Sequence, residues 1–579
     1  MGNSYPVSNL RVALEKCRTH FIAVGIFSAL LNLLFLVPML YMLQVYDRVV
    51  PTRGGGTLLM LTIVLLLGLI TLALLDWVRS RLLVRASIRL DREVAAVLLD
   101  TTLARPDGTI DAIARQAMRD FDNLRQAITG PVLLALCDAP WAPIYVLVCF
   151  IIHPALGVLV LAGSLILGTI AWANERGTSS RLRSANDAAA HAYASQEQVL
   201  ANAENVRALG MRGEMVGRHI QERSTMLSLQ TQASLTAGGL VAGSKFLRLT
   251  LQSLALGLGA FLAIRGSISV GSVFAASFLA GRALQPIDQV LAAWPTLVRA
   301  RAAYQKVDDL LRRNPASTAL TQLPAPAGRL AVEQVIVGRT MESRIVTNVS
   351  FNVEPGEVVT IVGPSGAGKS TLLRVIAGAL MADAGTVRID GARSTDWEPD
   401  RLGKFIGYLP QDVSLFAGTI KENIARFDTS EERNEIDELA IEAAGGAFAH
   451  DMILRLPGGY DTMLGWGGRG LSAGQAQRIA LARALYRKPP ILLLDEPNAH
   501  LDAEGEAQLL QTIAAAKEAG AAVLLVAHRM SVLAACDKIL VLRDGVVQGF
   551  GPRDEIISKM QTPPPDPTKI TGAKKAANL

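Results

Sequence analysis

Residues 357–371 read Glu-Val-Val-Thr-Ile-Val-Gly-Pro-Ser-Gly-Ala-Gly-Lys-Ser-Thr. A short apolar run, Glu357–Val362, enters a glycine-rich turn, and Leu372–Leu380 continues it with a helical pattern. This is G-x-x-x-x-G-K-[ST] between a strand and a helix, the context a phosphate-binding loop requires. The candidate residues are Gly363, Pro364, Ser365, Gly366, Ala367, Gly368, Lys369, Ser370 and Thr371. The glycines let backbone N–H groups close on phosphate oxygens. Lys369 adds positive charge, Ser370 offers a hydroxyl to Mg²⁺, and the helix N-terminus favours an anion. A glycine turn before an ordinary helix is the plainer alternative, but here every position of the motif is filled in context.

Two more buried runs lie further along. Ile491-Leu-Leu-Leu-Asp495-Glu496 ends in paired carboxylates. Asp495 is suited to hold Mg²⁺ through its water shell, and Glu496, one residue on, to polarise an attacking water. Ala521–Ala527 runs into His528, the expected γ-phosphate contact. Leu471-Ser472-Ala473-Gly474-Gln475 opens the helix-like Ala476–Leu485, a further helix N-terminus able to face an anion.

In this order the four motifs resemble those of the ABC ATPases, whose signature reads LSGGQ. The resemblance covers about residues 329–556, with Ala473 in place of the middle glycine. It implies ATP and Mg²⁺ as ligands. Gln411, in Tyr-Leu-Pro-Gln-Asp, is similar to the Q-loop glutamine that ligates Mg²⁺, and Ala499-His-Leu-Asp502 to the D-loop. It also implies a head-to-tail dimer in which Ser472, Gly474, Gln475 and Asp502 of one chain complete the ATP site of the other. Arg339 falls where the family usually stacks an aromatic residue on adenine.

Upstream the chain changes character. Half of its 579 residues are hydrophobic and its mean hydropathy is +0.31. Ile22–Met42 holds no charge and one amide, Asn32, and Thr57–Leu75 holds no charge. Runs of this length can cross a bilayer. Six spans are predicted, near 20–45, 57–78, 131–152, 155–174, 236–264 and 270–291. Arg11, Lys16, Arg18, Arg79, Arg81, Arg85, Arg176, Arg181, Arg299 and Lys306 cluster on one side of them. The other side carries Arg48, Arg53 and Arg265. Positive-inside bias therefore places both chain ends in the cytoplasm. The polar stretches 79–130 and 175–235 read as helical extensions. Asp111–Ile128 and Glu197–Glu214, near their middles, are either contacts for a cytoplasmic motor or solvated faces. Asp138, in Cys-Asp-Ala-Pro-Trp-Ala-Pro, lies within the third span, where Pro140 and Pro143 interrupt the helix ladder. It is expected to cap a kink rather than bind substrate.

The predicted architecture is an all-α six-span transmembrane bundle followed by an α/β P-loop ABC ATPase domain. Its parts are an N-terminal segment, 1–19; a transmembrane domain, 20–312; a linker, 313–328; the ATPase, 329–556; and a disordered tail, 557–579. The N-terminus does not read as a secretory signal. The net charge of +6 fits basic loops beside a lipid membrane better than nucleic acid, since no aromatic-basic patch accompanies it. Cys17, Cys137, Cys149 and Cys536 have neither disulfide nor zinc spacing.

Four membrane-half segments resemble bacterial type I secretion exporters: Pro38–Val49, Asp138–Tyr145, His153–Gly157 and Asn202–Met211. About 20 residues precede the first span, which favours the protease-exporter branch over relatives with an N-terminal peptidase-like domain. That resemblance implies a homodimeric inner-membrane permease and ATPase. It would export unfolded proteins with an uncleaved C-terminal signal, joined to a periplasmic adaptor and an outer-membrane channel. A lipid, peptide or small-molecule exporter is the alternative, because motor motifs do not encode cargo. The spans argue against a soluble ATPase acting on DNA or ribosomes. Intact Lys369, Glu496 and His528 argue against a regulator without turnover.

Arg339 generates a prediction. A guanidinium plane stacks on either purine, so the ATPase is expected to accept GTP with modest loss. Steady-state kinetics with both nucleotides check this, and strong discrimination would mean that another residue reads the base.

Overall fold

The computed structural model of the chain describes residues 10–103, 112–313, 322–338, 344–499, 501–527 and 529–561. Two compact units divide between residues 318 and 319.

The second unit is centred on three short apolar runs, Val358–Val362, Ile491–Asp495 and Ala522–Val526, buried along their whole length, the pattern of parallel strands covered on both faces. Its main sheet has six strands, ordered Val546–Pro552, Lys538–Arg543, Val358–Val362, Ala522–Val526, Ile491–Asp495, Ile406–Leu409. All neighbours are parallel except the first pair. Val526 stands in register with both Ile361 and Asp495, so the three motif-bearing strands end at one level. A four-stranded antiparallel sheet joins Val346–Val353, Leu330–Val337, Ala384–Ile389 and Ala392–Arg393. Apolar cores fill both faces of the main sheet, one around Leu492, Leu494 and Ile479, the other around Ile361, Leu373 and Leu493.

The first unit is helical. Among the described residues, five helices are long and apolar enough to cross a membrane: Arg18–Thr52, Gly55–Leu103, Gln116–Ile152, Pro154–Ala201 and Arg212–Ile264. They continue well beyond their apolar stretches, as the two polar excursions suggested. Pro154–Ala201 and Arg212–Ile264 are joined at their far ends by a short helix, Ala203–Ala208. Ala112–Ile128 buries Phe121 and Leu124 against Leu90, Val307 and Leu310. Asp111 lies outside the described residues.

The sixth expected span differs. It is part of one helix, Val270–Arg313, that is long but not among the five apolar enough to span. Its Ala275, Ala276, Leu279, Ala280, Ala283 and Leu284 are buried, and it packs on the helices before it. A helix surrounded by other helices needs small residues for close approach more than it needs a lipid-facing apolar surface. At its start, Asp47 accepts hydrogen bonds from Gly271 N at 2.6 Å and Ser269 Oγ at 2.5 Å, while Tyr46 stacks on Phe274. A Cβ at Gly271 would stand 2.6 Å from Leu43 O. The Pro38–Val49 segment thus ends in a π-turn, Val45–Val49, clasped to the opening of the last helix.

Asp138 corrects an expectation. The chain does tighten into a 3₁₀ turn at Ala139–Trp141, but the carboxylate caps nothing. Its Oδ1 accepts from Asn32 Nδ2 at 2.9 Å and Arg79 Nη1 at 3.4 Å. Arg79 also donates to Ser28 Oγ at 3.0 Å and Asp76 at 2.7 Å, and the Tyr145 hydroxyl donates to Asn32 Oδ1 at 3.0 Å. Arg79, counted above among the loop cations, is buried and spent inside the bundle. A buried polar group must be paired, and each proline leaves the helix ladder short of a donor. The segment bends so that one carboxylate serves three helices. A second tie joins Asp288 to Arg248 and Ser244.

Asp138→Ala is expected to remove the acceptor that Asn32 Nδ2 and Arg79 Nη1 share and cost about 1–3 kcal/mol, read as a lower melting point of the detergent-solubilised protein. Arg79→Met combined with Asp138→Leu should recover part of that loss, because a buried pair can be replaced by apolar groups. Unchanged melting of Asp138→Ala would contradict this role.

Candidate functional site

The loop after Val358–Val362 is forced by its surroundings. A Cβ at Gly363 would fall 2.0 Å from Leu542 O, and one at Gly368, with φ +94°, 2.6 Å from Ile345 O. Only glycine fits there. The following helix runs Lys369–Ile376, earlier at both ends than the sequence pattern suggested. Lys369, Ser370 and Thr371 therefore form its first turn, where unsatisfied N–H groups and the helix dipole point at an anion. Lys369, 6% exposed, folds back so that Nζ donates to Gly363 O at 2.9 Å and Pro364 O at 2.8 Å. Burial draws its ammonium below the usual lysine range, while Glu496 and Asp495 pull the other way.

Strand register then delivers the carboxylates. Asp495, 1% exposed, closes the Ile491–Asp495 strand. Its Oδ1 accepts from Ser370 Oγ at 3.1 Å. Burial raises its carboxyl above the ordinary aspartate value, and the Ser370 hydrogen bond opposes that rise. Glu496 follows with φ +48°, a left-handed backbone at a non-glycine residue. Its N–H donates to Val526 O at 3.2 Å, and Gln411 Nε2 donates to its Oε2 at 3.3 Å. Hydrogen bonds thus connect the phosphate loop to Asp495 and Glu496 to Gln411. Ser370, Asp495 and Gln411 supply hydroxyl, carboxylate and amide oxygens. Among the described residues no three His, Cys, Asp or Glu form an all-protein metal cage.

The remaining predicted residues stand apart. Ser472 caps the helix Ala473–Leu485, which begins three residues before the expected Ala476. Its Oγ accepts from Gln475 N at 3.3 Å, and Gln475 Oε1 accepts from Ser472 N at 2.9 Å. Gly474 lies in that helix's first turn. Asp502 caps the next helix, Ala503–Glu518, accepting from Gly505 N at 2.8 Å, with Arg478 Nη2 at 3.9 Å. Arg339 and His528 lie outside the described residues.

Two residues were missed by sequence reasoning. Gln477, 5% exposed, donates Nε2 to Pro497 O. Glu506 accepts from Arg529 Nη1 at 2.5 Å and from Ser531 Oγ. A polar residue one helical turn before Leu481, on the same face, was the available signal for Gln477. Glu506 gave none, since an acidic residue early in a helix is commonplace.

The family model for the ABC transporter transmembrane region matches residues 21–285, and that for the ABC transporter matches residues 346–499. The type I secretion system ATP-binding protein PrsD of Rhizobium meliloti (strain 1021) is 40% identical over 553 residues, covering 95% of this chain and 94% of that one. The leukotoxin export ATP-binding protein LtxB of Aggregatibacter actinomycetemcomitans is 30% identical over 557 residues, covering 94% and 77%. Among solved structures, a bacterial Atm1-family ABC exporter with ATP bound matches with a TM-score of 0.79 at 24% identity, covering 97% of this chain and 98% of that one. The last likeness establishes the fold.

Lys369→Ala removes the buried charge while the glycine turn can still form. Turnover of ATP is expected to fall on the order of 100-fold, with nucleotide affinity reduced. Unchanged affinity and rate would place the site elsewhere.

Proposed function

The chain belongs to the ABC transporter family, carrying the family's transmembrane region and its ATPase in one polypeptide, and on that premise we propose that it is the ATP-driven permease of a type I secretion system. ATP hydrolysis in the second unit powers export of protein through the first. One observation carries the cargo class: similarity to a type I secretion protein at 40% identity spans the membrane half as well as the motor. Motor motifs alone are shared by transporters of every cargo.

The site residues take their roles from this reading. Backbone N–H groups of 363–371 and Lys369 hold the phosphates. Ser370 and Asp495, already joined at 3.1 Å, fit Mg²⁺ with Gln411 beside them. A hard cation that keeps water and phosphate oxygens needs few protein ligands, and it would relieve the burial of Asp495. When bound it neutralises charge on the β- and γ-phosphates. Glu496 orients the attacking water, and His528 contacts the γ-phosphate. Arg339 lies against adenine. Ser472, Gly474, Gln475 and Asp502 serve the nucleotide of a second copy, which makes the working unit a homodimer.

The permease sits in the inner membrane of a two-membrane cell, its ATPase in the cytoplasm, as the distribution of basic loops supports. The outward loops, near Arg48–Gly54 and Arg265–Ser269, are short. Little of the chain can reach across a periplasm, so a periplasmic adaptor and an outer-membrane channel complete the path. The cargo is an unfolded protein with a C-terminal signal.

Glu496→Gln is expected to bind ATP and lose steady-state turnover, and near-normal hydrolysis would sink its assignment. Deleting the gene should trap a specific protein inside the cell with its C-terminus intact. Its last several dozen residues should confer export on a slow-folding passenger. A deletion strain that secretes normally but accumulates a lipid would overturn the cargo reading and leave the exporter fold standing.

A further inference from the structure

We propose that Gln477 is a positioning residue for hydrolysis, fixing the backbone that presents Glu496 from the helix whose other end serves the partner's nucleotide. The inference rests on the roles proposed above for Glu496 and Ser472.

The observation is a strained backbone beside a buried donor. Glu496 has φ +48°, where a side chain larger than glycine's is held only if its surroundings over-determine it. Three main-chain ties are visible. Glu496 N donates to Val526 O at 3.2 Å, and Ala499 N closes a turn onto Glu496 O at 3.1 Å. Gln477 Nε2 donates to Pro497 O at 2.5 Å and reaches Glu496 O at 3.5 Å. The first two belong to the strand edge and the turn itself. The third comes from another element, and it bonds the carbonyl immediately after the reacting residue. Proline has no N–H, so the Glu496–Pro497 peptide can be anchored only through Glu496 O, which Ala499 N and Gln477 Nε2 both approach.

The plainer reading is a buried glutamine satisfying a buried carbonyl, with no bearing on rate. Place in the fold argues for more. Gln477 sits on the second turn of Ala473–Leu485, five residues after the Ser472 cap. In a head-to-tail dimer that cap faces the partner's ATP. One rigid helix then touches the partner's nucleotide at its first turn and this chain's own catalytic backbone at its second. A shift of the helix as the partner's ATP docks reaches Glu496 through one side-chain amide. Arg478, next along, faces Asp502 at 3.9 Å, so the same helix also borders the D-loop.

The test uses the full-length dimer. Gln477→Met keeps the length and removes the donor, and Gln477→Glu keeps the shape but opposes an oxygen to Pro497 O. Both are expected to lower kcat about 10- to 100-fold, the scale of an ångström's misplacement at a reacting group. KM for ATP should stay near wild type, and kcat measured well below the melting point should fall even where that melting point drops by a few degrees. Mixed dimers separate positioning from structure. With Gln477→Met and Glu496→Gln in the same chain, the partner's site stays competent, and turnover should match a dimer carrying Glu496→Gln alone in one chain. With the two substitutions in opposite chains, both sites are impaired and turnover should fall further. Equal rates in the two arrangements, or an unchanged kcat in both single variants, overturn the proposal. If one variant fails to fold, the other carries the kcat and mixed-dimer readings. Should the Glu496→Gln homodimer itself hydrolyse ATP normally, the role of Glu496 fails first, which separates the two claims.

Discussion

The parallel pairing of Val358–Val362, Ala522–Val526 and Ile491–Asp495 is the constraint from which the nucleotide site follows. Each strand is buried on both faces, so hydrophobic burial and ladder hydrogen bonds fix its register against a slip. With Val526 level with Ile361 and Asp495, the residues just past each strand meet at one edge. Gly363 begins the phosphate loop there, and Glu496 follows Asp495. Segments far apart in sequence therefore converge without long side chains reaching for one another. Ligands of open α/β sheets bind at this edge for the same reason.

The site uses burial as a tool. Lys369 and Asp495 are both taken from water, and burial disfavours the charged form of each. The folded chain offsets part of that cost with the Gly363 and Pro364 carbonyls for the lysine and the Ser370 hydroxyl for the aspartate. Nucleotide phosphate beside Lys369 would complete the compensation for the lysine. The membrane unit answers the same problem within itself. Asp138, Arg79, Asn32, Ser28 and Tyr145 hydrogen-bond to one another among helices whose other faces are apolar. Polar groups there bind helices together, where water offers no hydrophobic gain between them.

The sequence was most legible where chemistry demands fixed spacing. The phosphate loop, Asp495–Glu496 and the capped Ser472 helix could be read because backbone geometry admits few residues at those positions. The apolar runs were legible because crossing a bilayer imposes length and composition. The last helix was less legible. Val270–Arg313 trades apolar bulk for Ala and Gly packing, so its composition no longer announces a span. Asp138 was misread because a proline beside a carboxylate suggests a local cap, while its partners, Asn32 and Arg79, lie far away in sequence. Arg79 misled similarly, since an arginine at the end of an apolar run looks like a loop cation until its partners are known. Gln477 and Glu506 act through single contacts to other elements, and no periodicity marks such contacts.

The central claim is that turnover at this one sheet edge moves protein across the membrane. Its most direct test is transport in sealed vesicles bearing the purified chain with its ATPase outward. ATP and an unfolded protein with the C-terminal segment of a secreted cargo are added outside, and the fraction that becomes protected from protease is measured. The account predicts protection that requires hydrolysable ATP and the C-terminal segment. Hydrolysis that proceeds at full rate while no protein becomes protected, with lipid moving between leaflets instead, would contradict it.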